Sequence, residues 1–383
     1  MERRLRLLGL FGIIIVMLVA GFLIRANRPT APVSKQTLLN ALWQTYNNDD
    51  WRAGRTIDPH GNVTTSEGQG YTMLRAVWSN DPKIFAETWR WTAQHLQRPD
   101  KLFKWRFSQE SGSNNTASDA DTDIALALVM AGSRWHNAAY LAQAKLIIPA
   151  IWQQEVVTIN GQPYMTADQL EKDASEPILN PSYWAPYAYR IFGQLDAGDD
   201  WRELADQSYN ELRDASQQQL DTDSSANLPP DWLKIDAQTG RLSADNSNGH
   251  DTNFGYDAFR AVWRVALDYQ WNHDTAAKNM LASFSKLAEF WNHNHRLNAI
   301  YSHDGQVVVQ YESPAMYGGA LGYFTVIHPD LAEAIVTHKM QLLYNDHTHS
   351  FDQTVGYYEN NWLWFGLALY SDRLPKFAPG GAQ

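Results

Sequence analysis

An all-α fold, closed as a double-layered (α/α)6 toroid, is what the sequence predicts for the body of this 383-residue chain. Three observations predict it. Apolar residues recur with helical spacing in about a dozen segments, no long β-alternation competes with them, and no internal repeat is strong enough to read as a solenoid. About twelve antiparallel helices in one domain can close as a six-hairpin barrel, inner helices ringed by outer ones, with an open helical array as the competing architecture.

In chain order, the first element is apolar. Leu7 to Ile24 runs 18 residues without a charge and follows Arg3, Arg4 and Arg6, long enough for a helix to cross most of a hydrocarbon layer. Signal cleavage needs small residues at two positions before the cut, and the best pair, Leu18 and Ala20, has a large residue at one of them. Residues 1–29 are therefore expected to remain as an N-terminal transmembrane anchor, with the N-terminus in the cytoplasm and residues 30–383 as one extracytoplasmic domain; a cleaved signal and a secreted product are the alternative. Residues 26–34 read as a short proline-containing tether.

Helical periodicity then marks residues 35–47, 67–79, 82–96, 120–134, 137–153, 182–193, 199–218, 255–270, 273–292, 313–327, 330–344 and 357–371. Short strands are expected at 307–311 and around 155–164. Residues 220–252, rich in Asp, Ser, Asn and Pro, read as one long loop with a turn at Thr239-Gly240. A connection of that length inside a compact domain is usually functional.

Composition narrows the function. The chain carries 16 Trp, 18 Tyr and 14 Phe; helix packing absorbs most such rings, and flat faces that stack on sugars are the other reason to keep them. The net charge is −11, and the first 28 residues hold five arginines against Glu2, so the remainder is more acidic still. Such a body repels a phosphate backbone and excludes nucleic acid as a partner. With no cysteine there is no disulfide, no thiol chemistry and no lipid attachment at sulfur. Asp119, Asp121 and Asp123 alternate like calcium-loop ligands, but Ile124 stands where a sharp turn needs glycine and Met130 where a bidentate carboxylate is needed. The pairs His293/His295 and His347/His349 lack an accompanying HExxH helix, and no P-loop or dinucleotide fingerprint occurs. No metal or cofactor is expected.

Three carboxylates stand near predicted helix starts: Glu67, Asp119 and Asp257. Acidic residues are common there because they cap free amides and meet the positive end of the helix dipole. Gly68 and Gly70 argue for more, since each costs about 1 kcal/mol against alanine within a helix and makes sense where backbone must admit a ligand. Glycosidic cleavage wants two carboxyl groups in unlike environments, one protonated and one ionised. A helix dipole lowers the pKa of Glu67, so if Glu67 is the acid, an apolar wall or a second carboxylate must raise it.

The run from Ala117 to Trp135, ASDADTDIALALVMAGSRW, resembles the signature segment of glycoside hydrolase family 8, the cellulase D family. Ser66-Glu67-Gly68-Gln69-Gly70-Tyr71 and Tyr256-Asp257-Ala258-Phe259-Arg260 resemble its other two blocks, in the right order across nearly the whole exported region. The resemblance implies the six-hairpin toroid for residues 30–383, with Glu67 as proton donor, Asp257 as the base that activates water, and inversion at the anomeric carbon. Asp119 matches an acid that holds the sugar at the cleavage point, with a nucleophile role as the alternative. Trp105, Tyr183, Trp184, Tyr256, Arg260, Tyr357 and Tyr358 match cleft residues that stack on or hydrogen-bond to sugars. Asn180-Pro181-Ser182-Tyr183 and Pro230-Asp231-Trp232 are similar to segments of the family's bacterial cellulose-synthesis endoglucanases. The implied activity is endo-cleavage of a β-1,4-glucan by a monomer held beside the membrane, where a polysaccharide synthase complex is a candidate partner. Chitosan, xylan and mixed-linkage glucan are the alternative substrates, and a non-catalytic polysaccharide-binding protein the alternative class.

Overall fold

The computed structural model describes residues 33–59, 61–108, 113–352 and 355–379. The expected anchor at 1–29 lies outside them, and among the described residues no helix is long and apolar enough to cross a membrane. Thirteen helices are described: α1 (Lys35–Asp49), α2 (Ser66–Trp78), α3 (Pro82–His95), α4 (Ser118–Arg134), α5 (Ala138–Glu155), α6 (Pro186–Phe192), α7 (Trp201–Gln217), α8 (Phe259–Asn272), α9 (Thr275–Ser283), α10 (Lys286–Asn294), α11 (Pro314–Ile327), α12 (Pro329–Ile335) and α13 (Tyr357–Tyr370).

Burial pattern sorts them into two layers. Helix α4 is buried from Ser118 to Gly132 on every side, as an inner helix must be. Helix α7 instead buries one stripe, including Trp201, Leu204, Ala205, Tyr209, Leu212 and Ala215, and turns its charges outward except Glu211. The inner helices α2, α4, α6, α8, α11 and α13 pack each on the next. The ring closes where Arg75 of α2 donates to Asn361 Oδ1 at 2.8 Å and Asn360 Oδ1 at 3.1 Å on α13. Outside it, α3, α5, α7, α9 and α12 each cover the preceding inner helix, and α1 covers α13. An outer helix between every two inner ones makes all six inner helices run the same way. Their N-terminal ends, with free amides and positive dipole ends, therefore gather at one mouth of the toroid.

The inner ring is tight. A Cβ at Gly318 of α11 would collide with the Trp362 carbonyl, and one at Gly319 with the Phe259 ring. Outer helices start on side-chain caps such as Asp81 to the Ile84 N–H and Asp200 to the Glu203 N–H.

Several elements depart from the sequence expectation. The segment 182–193 holds only the seven-residue α6, because Pro181 opens a separate 3-10 turn and Pro186 starts the helix proper. The segment 273–292 breaks at the fully buried Phe284 into α9 and α10. The segment 330–344 ends its regular helix at Ile335 and continues as a π turn and a 3-10 turn. The expected strand at 307–311 is reduced to a single bridge between Tyr301 and Val307. The hairpin near 155–164 forms, pairing Val156–Ile159 with Gln162–Met165. The 220–252 loop folds back on itself as a hairpin of Leu233–Ile235 with Leu242–Ala244, turning through Gly240 at φ 71°, and Ile178–Leu179 adds a third strand. That folding returns the loop to the mouth of the toroid.

Candidate active site

The N-terminal ends of α2, α4 and α8 bring the three predicted carboxylates together. Glu67 is the second residue of α2, whose Thr65 cap accepts the Gly68 N–H at 3.0 Å. Asp119 is the second residue of α4. Asp257 does not begin a helix, as its segment predicts; it sits in a turn, Gly255 to Ala258, just before α8. The turn persists because the carboxylate of Asp231, from the long loop, accepts the N–H groups of Gly255 (3.2 Å), Asp257 (2.9 Å) and Ala258 (2.6 Å). A cap supplied from 26 residues away thus does what the local Ala258 cannot.

Arg260, on the first turn of α8, joins the three acids. Its Nη1 pairs with Glu67 Oε2 and stands 3.3 Å from Asp119 Oδ2, while its Nη2 pairs with Asp257 Oδ1. The guanidinium is buried, with 2% of the side chain exposed, and Asp119 is equally buried at 1%, but Glu67 keeps 25% and Asp257 28% exposed. Two carboxyl groups therefore face the open cleft and one backs it. The cleft, of about 440 Å3, is lined by Asp58, Glu67, Tyr256, Asp257, Arg260, Tyr357, Tyr358 and Glu359.

Burial acts on two of the three acids in the same direction. Burial pushes the Glu67 carboxyl above the ordinary glutamate range; Arg260 opposes the shift and the Asp257 charge adds to it. Burial likewise lifts Asp119 to about 7 against the pull of Arg260. The dipole at the head of α2 is outweighed by desolvation of the walls around Glu67. Asp121 and Asp123, two and four residues after Asp119, point elsewhere: Asp121 accepts the Phe103 N–H at 2.9 Å, and Asp123 holds Arg264 with two bonds of 2.9 Å. Among the described residues no group of three or more metal-ligating side chains occurs.

The predicted sugar contacts are only partly gathered. Tyr256, Arg260, Tyr357 and Tyr358 line the cleft, and the Tyr358 hydroxyl donates to the Tyr256 carbonyl at 2.6 Å. The ring of Tyr183 lies 5.4 Å from the Arg260 guanidinium. Trp105 leaves 37% of its surface exposed, and its carbonyl accepts the Ser66 N–H beside Glu67. Trp184 is a correction: it is 4% exposed and donates its indole N–H to the Met165 carbonyl at 3.2 Å, a core residue whose sequence neighbour faces the site. The role expected of Gly68 and Gly70 is also corrected. A Cβ on Gly68 would strike the Tyr357 hydroxyl, and one on Gly70 would press on Asp123 of α4, so both glycines admit protein rather than ligand.

Sequence comparison adds what geometry alone leaves open. The profile of glycosyl hydrolases family 8 matches residues 30–369. The chain belongs to that family. Family 8 membership makes it a glycoside hydrolase of the endoglucanase kind, as its relatives bear out. A probable endoglucanase from Novacetimonas hansenii is 33% identical over 286 residues, 72% of this chain and 76% of that protein. Among solved structures, an endo-β-1,4-glucanase from Acetobacter xylinum superposes with a TM-score of 0.69 at 24% identity, over 89% of this chain and 99% of that one. A β-1,3-1,4-glucanase from a Paenibacillus species gives 0.75 at 20% identity, over 89% and 93%. At such identities these two show the fold alone, and the family 8 toroid is the fold observed here.

The family blocks do not point to everything at the site. Asp231, which caps the Asp257 turn, and Trp232, whose Nε1 donates to Asp257 Oδ2 at 3.1 Å, stand in the Pro230-Asp231-Trp232 segment without a role legible from sequence. Tyr71 stands inside the first family block but was given no role there; it accepts from Arg260 Nη1 at 3.2 Å and is hydrogen-bonded to Glu67.

Proposed function

We propose that this family 8 enzyme cleaves a β-1,4-glucan internally and with inversion. Glu67 protonates the departing glycosidic oxygen, Asp257 takes a proton from the attacking water, and Asp119 with Arg260 holds the sugar between them. The observation that carries this reading is the sharing of one guanidinium by two cleft-facing carboxyl groups, with burial shifting Glu67 toward its protonated form. The β-1,4 linkage is supported by the names of the related endoglucanases. The test measures new reducing ends on carboxymethylcellulose, chitosan, xylan and lichenan in parallel, and follows the anomeric proton of fresh product by NMR. Inversion on a β-linked substrate yields the α-anomer first; first-formed β-anomer would overturn the mechanism.

Chitosan is a second reading with an observation behind it. Asp58, Glu67, Asp257 and Glu359 put four acidic side chains around a cleft whose lining, among the described residues, holds one cation, Arg260, a field that suits a polyamine. Faster release from chitosan than from carboxymethylcellulose would favour it.

The apolar stretch from Leu7 to Ile24 supports an enzyme held at the outer face of the cytoplasmic membrane beside a polysaccharide synthase. Removing residues 1–29 should release active enzyme from the membrane fraction; equal release of the full chain would sink the tethered reading.

A further inference from the structure

The base of the proposed mechanism is held at both ends by consecutive residues of the long loop. Asp231 fixes its backbone through three N–H groups, and Trp232 fixes its side chain through the indole N–H. The two Asp257 oxygens thus have different partners, Oδ1 the Arg260 guanidinium and Oδ2 Trp232 Nε1 at 3.1 Å. A carboxylate gripped at each oxygen by groups on different elements is held against rotation about its terminal bond.

The indole is itself locked. His250 lies flat on it, ring centroids 4.0 Å apart with 4° between the planes, and Asp245 holds His250 Nδ1 at 2.6 Å. Tyr183 meets the indole edge-on at 5.8 Å. Trp232 is partly exposed, and its indole has His250 on one face, the Tyr183 ring at an edge and a carboxylate on its N–H.

We propose that Trp232, clamped by His250, is a positioning residue for Asp257: it sets the direction in which the base accepts the water proton. The proposal rests on Asp257 being that base, and explains why the loop of residues 220–252 returns to the mouth of the toroid. It is a role in turnover, distinct from sugar binding.

The test is Trp232→Phe in the full chain, which keeps an aromatic ring against His250 and removes the N–H. One hydrogen bond to a charged group corresponds to a roughly 10- to 100-fold fall in kcat, with KM and the unfolding midpoint nearly unchanged. In a Glu67→Gln background, where turnover should be slow enough to measure binding, Trp232→Phe should leave the Kd for cellohexaose unchanged. His250→Ala should lower kcat, and His250→Phe, which can still stack, should lower it less. Wild-type kcat in Trp232→Phe, a loss confined to KM, or a weakened Kd would each overturn the proposal, the last two by making Trp232 a sugar contact. Asp257→Asn separates the two levels. If it abolishes turnover while Trp232→Phe is normal, only the positioning role fails; if it retains turnover, the base assignment fails and the positioning role with it.

Discussion

Glu67 and Asp257, far apart in sequence, bind the two terminal nitrogens of a single buried guanidinium, that of Arg260. One cation thus sets both the spacing and the charge balance of the two cleft-facing acids. Asp119 completes a cluster of three carboxyl groups on one arginine.

Glu67→Gln and Asp257→Asn should each lower kcat by about 100- to 10,000-fold, the worth of a general acid or base. Arg260 keeps two carboxylates in either variant, so the thermal midpoint should barely move. Calorimetry beside a reducing-end assay checks this, and collapse of the fold in either variant would assign these acids to capping instead.

The pH profile follows from the direction of the Glu67 shift. A donor must be protonated, so activity is present below its pKa and lost as pH rises through it; burial moves that loss upward from the ordinary glutamate range. The hydrogen bond from Tyr71 favours ionised Glu67, so Tyr71→Phe should push the alkaline limb of kcat/KM higher still. A downward displacement would remove Glu67 from the donor role.

Arg260→Met should be costly for the fold as well as for catalysis. It strands three carboxyl groups around a desolvated site, and breaking a buried ion pair costs about 3–5 kcal/mol. The sign with pH is fixed: groups with raised pKa values stabilise the folded state while protonated, so the loss should be smaller at pH 4 than at pH 8. Denaturant titrations at both values check the difference. Arg260→Lys should not restore activity, because one ammonium cannot serve three acceptors in fork geometry.

Gly68→Ala should destabilise by about 1–3 kcal/mol through overpacking against the Tyr357 hydroxyl. Tyr357→Phe removes that hydroxyl, so the double variant should recover part of the loss. A double-mutant cycle measures the coupling, and additivity would mean the two residues do not compete for the same space.

Glu67 and Asp119 were legible because each sits at a helix start, and helix-start chemistry is local; Asp257 was marked by its block although it sits in a turn that the distant Asp231 caps. Trp184 was misread for a physical reason: it neighbours Tyr183 in a 3-10 turn, where adjacent side chains leave in different directions, so one reaches the site and the other the core. The glycines misled likewise, since a demand for close approach says nothing about what approaches.

About a dozen helical periods and the placing of Glu67 and Asp119 at helix heads were set by the chain itself, because spacing and side-chain chemistry act over a few residues. Tertiary structure alone decided that Arg260 joins all three acids, that Asp231 caps a turn 26 positions away and that Trp232 grips Asp257. Those contacts exist only once the ring closes and the long loop folds back to its mouth, and distances across a closed ring have no counterpart in residue spacing.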